Sequence, residues 1–322
     1  MKIIFSNEEV KSIGLRKYSE IQIFFQGYAI WEDKLYMDKE FDAIILKHIR
    51  QGKLFEYYPT YNGIFNLVII YENEIRIIKD RWGIIPLYYK SSKKFIFISD
   101  DFNELVPHSD NSINKVAELE LLIFGYAIGQ KTLLSDIDEF LPHKMYVIEY
   151  ANLVIDISSS SYWEFNYSFT KSKKSERKYE LELARLWQKR FSIYLEYIKN
   201  NGNAVYIPFS GGLDCRLMAY ELDDSGVELY TATYGIDENN EIKSAKSAVA
   251  HLNNVKDHFI LNMYGSKTRE IFEATALTDR ATTSFPAELL HYYDAKHSDA
   301  SFIMPGFSGD FMAGSHLKFK MK

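Results

Sequence analysis

Ile207-Pro208-Phe209-Ser210-Gly211-Gly212-Leu213-Asp214 is the stretch that decides the reading of this chain. Ala204–Phe209 is a short apolar run of strand type, and Leu213–Leu222 has helical spacing. The glycine pair stands between them. Glycines at such a turn let the backbone come close to an anion. The helix that follows directs its unpaired N–H groups and its positive dipole end at that anion. Ser210 adds a hydroxyl donor. Asp214 has the wrong charge for a phosphate, so a magnesium ion between carboxylate and phosphate makes sense of it. The Gly-x-x-x-x-Gly-Lys-Ser/Thr pattern is absent, so this is a different kind of phosphate loop. The plainer alternative is a strand–helix turn with a capping aspartate.

Working outward, the rhythm after Asn203 is strand, helix, strand, helix. Val227–Tyr234 reads as a strand, Glu241–Leu252 as a helix and His258–Leu261 as a strand. Helical segments are expected at Lys267–Leu277 and Pro286–His297, then a strand at Ser301–Met304. This alternation implies a parallel sheet with both faces covered, and ligands of such sheets sit beyond the carboxyl ends of the strands. A second loop there, Met304-Pro305-Gly306-Phe307-Ser308-Gly309-Asp310, again follows a strand. Its Asp310 is placed to meet Asp214 and share one magnesium.

The first half reads differently. Ile21–Phe25, Gly63–Tyr71, Glu74–Lys79, Leu87–Lys90 and Lys94–Ser99 are short strand-type runs between turn-forming residues. Phe41–Gln51 and Ile113–Phe124 have helical spacing. An α+β domain to about Glu164 follows. Ser168–Ser175 is polar, a linker candidate, and Glu176–Asn200 a long amphipathic helix. The expected organisation is a domain over 1–165, linker and helix over 166–202, and a second domain over 203–322.

Composition narrows the classes. The 322 residues are 47% hydrophobic and 25% charged, ordinary for a globular protein. Lys+Arg 38 against Asp+Glu 44 leaves a net charge of −6, which argues against general nucleic-acid or membrane-surface binding. One cysteine excludes an intrachain disulfide and a cysteine-cluster zinc site, and a reducing cytoplasm is the expected home. The apolar stretch at the start is too short for a signal peptide, and no apolar run reaches the ~18 residues of a membrane span. Tyr 24 and Phe 22 are high counts, read as a well-filled core. The eight histidines show no His-Glu-x-x-His pattern.

Ser210-Gly211-Gly212-Leu213-Asp214 together with the 304–315 loop resembles the synthetase domain of asparagine synthetase B and its relatives, which include β-lactam synthetase and lasso-peptide cyclases. Tyr234-Gly235, Glu241-Ile242-Lys243 and Ser247–Leu252 are similar to that domain too. Independently, Gly63–Tyr71 followed by Asp80-Arg81-Trp82-Gly83-Ile84-Ile85-Pro86-Leu87-Tyr88-Tyr89 resembles the glutamine amidotransferase domain of the same proteins, with Leu141–Lys144 and Ser161-Tyr162-Trp163 as its closing segment. The likeness covers about Gln22 to Ser315. It implies an α+β Ntn-hydrolase-like N-terminal domain followed by an α/β parallel-sheet ATP-pyrophosphatase domain of the adenine nucleotide alpha hydrolase type. It also implies ATP and Mg2+, with a carboxylate activated as its acyl-adenylate and then attacked by ammonia or an amine. On this resemblance Ser210, Gly211, Gly212 and Asp214 hold pyrophosphate, Asp310 and Asp214 hold magnesium, and Tyr234 and Gly306 border the nucleotide.

The chain departs from the family in five places. The family's glutaminase nucleophile is a cysteine at position 2, where this chain has Lys2; its only cysteine is Cys215. Gln26-Gly27-Tyr28 stands where a glutamine-binding Asn-Gly-Glu is expected. Phe307 replaces the glutamate or tyrosine of active relatives, and Phe311 a common glutamate, so no catalytic residue is assigned. The family continues beyond Lys322 with a helical region carrying a pyrophosphate-contacting lysine, so a truncated synthetase domain, completed by a partner chain, is expected. The expected function is AMP-forming amide ligation with glutaminase activity lost; the rival is a non-catalytic nucleotide-binding or scaffold protein. Another ATP-pyrophosphatase, such as an NAD synthetase or a tRNA-modifying enzyme, is disfavoured by the first half.

Overall fold

In a computed structural model of the chain, the described residues are 1–6, 9–149, 155–164, 176–235, 239–262 and 298–306. The chain divides into two compact units; among the described residues the first ends at Glu164 and the second begins at Glu176. The expected linker Ser168–Ser175 and the expected helices Lys267–Leu277 and Pro286–His297 lie outside the described residues.

The first unit begins with strands β1 (Lys2–Ser6), β2 (Glu9–Ile13), β3 (Arg16–Tyr18), β4 (Ile21–Trp31) and β5 (Lys34–Met37). Helices α1 (Asp38–Arg50) and α2 (Leu54–Tyr57) follow, then β6 (Asn62–Tyr71), β7 (Glu74–Lys79), β8 (Tyr88–Ser91) and β9 (Phe95–Ser99). Helix α3 (Lys115–Phe124) and strands β10 (Asp138–Glu139), β11 (Lys144–Glu149) and β12 (Asp156–Ser161) complete it. One sheet has the order β10-β8-β9-β1-β2; the other runs β12-β11-β7-β6-β4-β3, with β5 on β4. Every pairing in both is antiparallel. The hairpins β4–β5 and β6–β7 close through Glu32-Asp33 and Glu72-Asn73, all at positive φ, the two-residue turn whose twist matches the strands.

Alternation along the strands builds the layers. Phe65, Leu67 and Ile69 of β6 pack with Phe41, Ile45 and Leu46 of α1. Val68 and Ile70, on the other face, meet Ile3 and Phe5 of β1 and Ile96 and Ile98 of β9. The two sheets are therefore sandwiched face to face, with α1 outside one of them. Phe102, Leu105, Leu134 and Ile137 cover the outer face of the other, against Tyr88 and Phe97. Each fully buried side chain of this size is worth about 1.5–3 kcal/mol. Arg16 of β3 clasps the buried Asp42 of α1 through Nε and Nη2, and Tyr18 donates to the same carboxylate at 2.7 Å.

The second unit carries helix α4 (Glu176–Asn200), strand β13 (Ala204–Pro208), helix α5 (Leu213–Asp224), strand β14 (Glu228–Gly235), helix α6 (Asn240–Val249), strand β15 (Val255–Asn262) and the two-residue β16 (Phe302–Ile303). Its sheet has the order β15-β14-β13-β16 and is parallel throughout. Val205 and Ile207 pack with α4 and α5 through Phe191, Ile198, Ala219 and Leu222, and Ala245 of α6 joins them. Tyr206 points to the opposite face, beside Ala232 and Phe259. The Asp223 carboxylate, buried at the end of α5, accepts the backbone N–H groups of Asn253 and Asn254 and so fixes the approach to β15.

Candidate functional site

The strand order places a crevice. β13 comes first in sequence, β14 and β15 build away on one side, and β16 returns to the other. Connections therefore diverge between β13 and β16, the point in an open parallel sheet where ligands bind. The loops at the carboxyl ends of those two strands are 209–212 and 304–306, the two read from sequence.

The first loop has a shape that only its residues allow. Phe209 N–H extends the ladder to Ala232 O at 2.7 Å, and Thr233 Oγ1 donates to Phe209 O. Gly211 then turns to φ +76°, where a Cβ would lie 2.7 Å from the backbone nitrogen of Ala245 on α6. Gly212 is the N-cap of α5 in extended conformation, with no side chain capping the first turn. The leading N–H groups of α5 therefore have no N-cap side chain over them. Ser210 is exposed; its Oγ accepts from Gly212 N–H at 3.3 Å and lies 3.7 Å from Cys215 Sγ. Asp214 stands half-buried in the first turn.

The second loop closes on the first. A Cβ on Gly306 would lie 2.6 Å from Cys215 Cα and 2.8 Å from its nitrogen, so the chain after β16 runs against the start of α5. Tyr234 sits half-buried near the end of β14. A Cβ on Gly235 would meet Asn239 Nδ2 and Ile242 Cδ1 at 2.8 Å, and Asn239 caps α6 by accepting from Ile242 N–H. Ser210, Gly211, Gly212 and Gly306 are brought together at the head of α5, where Asp214 also lies. Phe307 and Asp310 lie outside the described residues. No group of three or more His, Cys, Asp or Glu gathers among the described residues.

In the first unit, Lys2 sits on β1 with Nζ 2.7 Å from Glu104 and over the Phe97 ring. Gln26-Gly27-Tyr28 lies mid-strand in β4. Gly27 has φ +94°, and a Cβ there would stand 2.1 Å from Ile64 O. Gln26 Oε1 accepts from Asn66 Nδ2 at 3.2 Å, and the same amide group reaches Pro86 O. Asn66 Oδ1 in turn accepts from Lys79 Nζ at 2.6 Å, and Lys79 also donates to Ile85 O. Burial pulls the Lys79 ammonium down to about 8, against the pull of Glu139 and Asp80, and it pushes Glu139 up. No sequence motif marks this buried network. Its signal is the alternation Ile75, Ile77, Lys79, which turns a lysine inward.

Asp80 is a turn former: one carboxylate oxygen accepts Trp82 N–H at 2.6 Å and Gly83 N–H at 2.9 Å, and the other accepts Phe65 N–H. Lys243 and Lys246 are exposed, on the solvent side of α6. His258 is bonded to Thr231 Oγ1 at 2.9 Å and held below its usual range by burial.

Among known proteins, residues 37–163 match the family model of the glutamine amidotransferase domain. The chain bears a distant likeness to a structure of glutamine phosphoribosylpyrophosphate amidotransferase from B. subtilis complexed with ADP and GMP: 9% identity, 80% of this chain and 72% of that chain, TM-score 0.32. A structure titled as the allosteric regulatory enzyme of purine biosynthesis shows 10% identity over 96% of this chain and 74% of that one, TM-score 0.29. A search of curated proteins gave no match. No helix among the described residues is long and apolar enough to cross a membrane. Over residues 37–163 the first unit is a glutamine-amidotransferase-like domain.

Proposed function

We propose that this chain is an asparagine-synthetase-like ligase that uses ATP, forms AMP and makes an amide bond, with an Ntn-type first domain that has lost its glutaminase activity. The observation that carries the reading is the meeting of the 209–212 and 304–306 loops at the point where the parallel sheet changes direction, over an uncapped helix start. In the proposed reaction a carboxylate oxygen attacks the α-phosphate of ATP and pyrophosphate leaves. An amine or ammonia then attacks the acyl carbon and AMP leaves.

The chain's own groups act mainly on charge. The N–H groups at the start of α5 and the Ser210 hydroxyl face the phosphates, where fixed donors stabilise the charge that develops on the leaving group. Gly211 and Gly212 keep side chains out of that approach, and Gly306 and the backbone beside Tyr234 border the nucleotide. Asp214 would hold a magnesium ion, which supplies Lewis-acid neutralisation of the phosphates when bound. Asp310 is a second proposed ligand from sequence. Lys2 in place of a cysteine supports the loss of glutaminase chemistry, so the nitrogen donor would be ammonia or a free amine.

Calorimetry with Mg·ATP on the wild type and on Asp214→Ala tests the site. Binding weakened at least tenfold in the variant is expected; equal affinity would sink the assignment. Release of AMP and pyrophosphate with a panel of carboxylates separates a ligase from a nucleotide-binding scaffold.

A further inference from the structure

Thr233 stands on β14, one strand away from the 209–212 loop, and carries no charge. Its hydroxyl nevertheless sets the direction of that loop's first peptide. Thr233 is 2% exposed and Phe209 1%. Thr233 Oγ1 donates to Phe209 O, while Phe209 N–H donates to Ala232 O at 2.7 Å. Both polar groups of the Phe209 backbone are therefore held on the β14 side of β13.

A trans peptide sets its C=O and N–H in opposite directions. With Phe209 O fixed towards β14, the N–H of Ser210 points the other way, to the flank of β13 that β16 occupies. The ladder on that flank agrees. Tyr206 pairs with Ile303, and Met304 N–H donates to Tyr206 O at 2.9 Å, so Tyr206 and Pro208 turn their backbone groups to β16. That pairing stops at Met304, before the chain of β13 reaches Ser210. Among the described residues nothing accepts the Ser210 N–H. The crevice between β13 and β16 is thus where this donor is aimed.

The rest of the loop is turned in the same sense. Gly211 O lies 3.5 Å from Ser244 Oγ on α6. Gly212 O accepts the Arg216 N–H at 3.1 Å and the Cys215 thiol at 3.3 Å. Three carbonyl oxygens of the loop face protein donors, and a carbonyl oxygen is what an incoming phosphate must not meet. A threonine that only satisfied a buried acceptor would add stability alone. Here the far end of the same peptide opens on the crevice.

We propose that Thr233 is a positioning residue of the nucleotide site. It holds the Phe209–Ser210 peptide with its N–H in the crevice, as a fixed donor to a phosphate oxygen of ATP. This rests on the reading of the crevice as an ATP site. Without the hydroxyl, Phe209 O is a buried acceptor that has lost its donor, and turning the peptide over relieves that cost. The turned peptide withdraws the N–H and presents an oxygen, so an attractive dipole becomes a repelling one where the phosphate charge sits.

Calorimetry on the full chain, with Mg·ATP and with Mg·pyrophosphate, tests this. Thr233→Val keeps the shape and removes the donor; both affinities should fall about tenfold or more, as for a lost hydrogen bond to a charged group. Thr233→Ser restores the hydroxyl and should stay within about threefold of the wild type. Thr231→Val is the control. Thr231 lies on the same face of β14 and is fully buried, but its hydroxyl bonds His258 Nδ1 and not the loop. Its affinity should stay within about twofold of the wild type, although urea unfolding registers a lost buried hydrogen bond. If Thr233→Val does not fold, Thr233→Ala is read by the same criterion. Wild-type affinity in the valine or alanine variant overturns the proposal. So does a serine variant as weak as the valine one, or a Thr231→Val protein weakened as much, which would mark damage to the strand in place of peptide direction. A wild type that binds no Mg·ATP overturns the ATP-site reading and this proposal with it, so the two failures are told apart.

Discussion

Lys79 is the most informative single residue to replace in the first unit. Its ammonium lies between the two sheets, bonded to Asn66 Oδ1 and Ile85 O, with Glu139 and Asp80 as the charges acting on it. Burial lowers it from an ordinary 10.5 to about 8. Below about pH 8 the lysine is charged in both folded and unfolded chains, and keeping it charged in the sandwich costs about 3 kcal/mol, at 1.36 kcal/mol per pH unit of displacement. Between about 8 and 10.5 the folded protein has released the proton while the unfolded chain still holds it, so the unfolded state binds more protons. Stability from this group therefore rises with pH across that window. Lys79→Met keeps the bulk and removes the titration. It also leaves two acceptors without a donor, at about 1–3 kcal/mol each, so the offset at pH 7 is a near-balance within about 3 kcal/mol. The trend is the diagnostic. Urea unfolding of both proteins at pH 8, 9 and 10 should show the wild type gaining about 2 kcal/mol on the variant across that range. Titrating groups that do not interact with Lys79 are common to both proteins and cancel in the difference. Two stability curves that stay parallel within about 0.5 kcal/mol would refute a desolvated lysine in the sandwich.

Three further outcomes are expected. Gly27→Ala forces a side chain into φ +94° and to 2.1 Å from Ile64 O, so the first unit should lose about 3 kcal/mol or more; a melting temperature unchanged within ~2 °C would contradict the geometry. Asp223→Ala strips the acceptor from the N–H groups of Asn253 and Asn254, and a loss of about 2–4 kcal/mol is expected in denaturant titrations, against no loss if water replaces the carboxylate freely. With glutamine as sole substrate no ammonia should be released; steady release that persists in Cys215→Ser would mean that another nucleophile acts.

Local pattern carries a good deal of this fold. Glu74–Lys79 reads as a strand from its alternation and is one, and the Gly211-Gly212 break starts α5 at Leu213 as expected. The misses have physical causes. β4 reads as ending at Phe25 because Gln26-Gly27 looks like a break, yet the strand continues to Trp31. Glycine is there because β6 presses on the backbone, a contact between strands that neighbours in sequence cannot reveal. β15 begins at Val255 although Lys256 and Asp257 interrupt its apolar run, since pairing to β14 holds polar residues in the ladder as well as apolar ones. Helix α3 starts at Lys115 rather than Ile113 because Asn114 caps it. The turn between β13 and α5 was legible from residue types alone. The approach of Gly306 to Cys215 was not, since it depends on which strand β16 chooses as a neighbour.

That choice has a consequence for how the protein is made. Phe302 pairs with Val205, far earlier in the sequence. The ribosome must therefore translate everything between them before the crevice beside β13 has its second wall. At typical synthesis rates this delay is on the order of ten seconds. During it the flank of β13 that β16 will occupy is an unpaired edge, able to recruit another strand. A nascent chain stalled just short of Phe302 should thus be the most aggregation-prone intermediate of its own biogenesis, and one in which β13, α5, β14, α6 and β15 are already translated while the wall holding Gly306 is still to come.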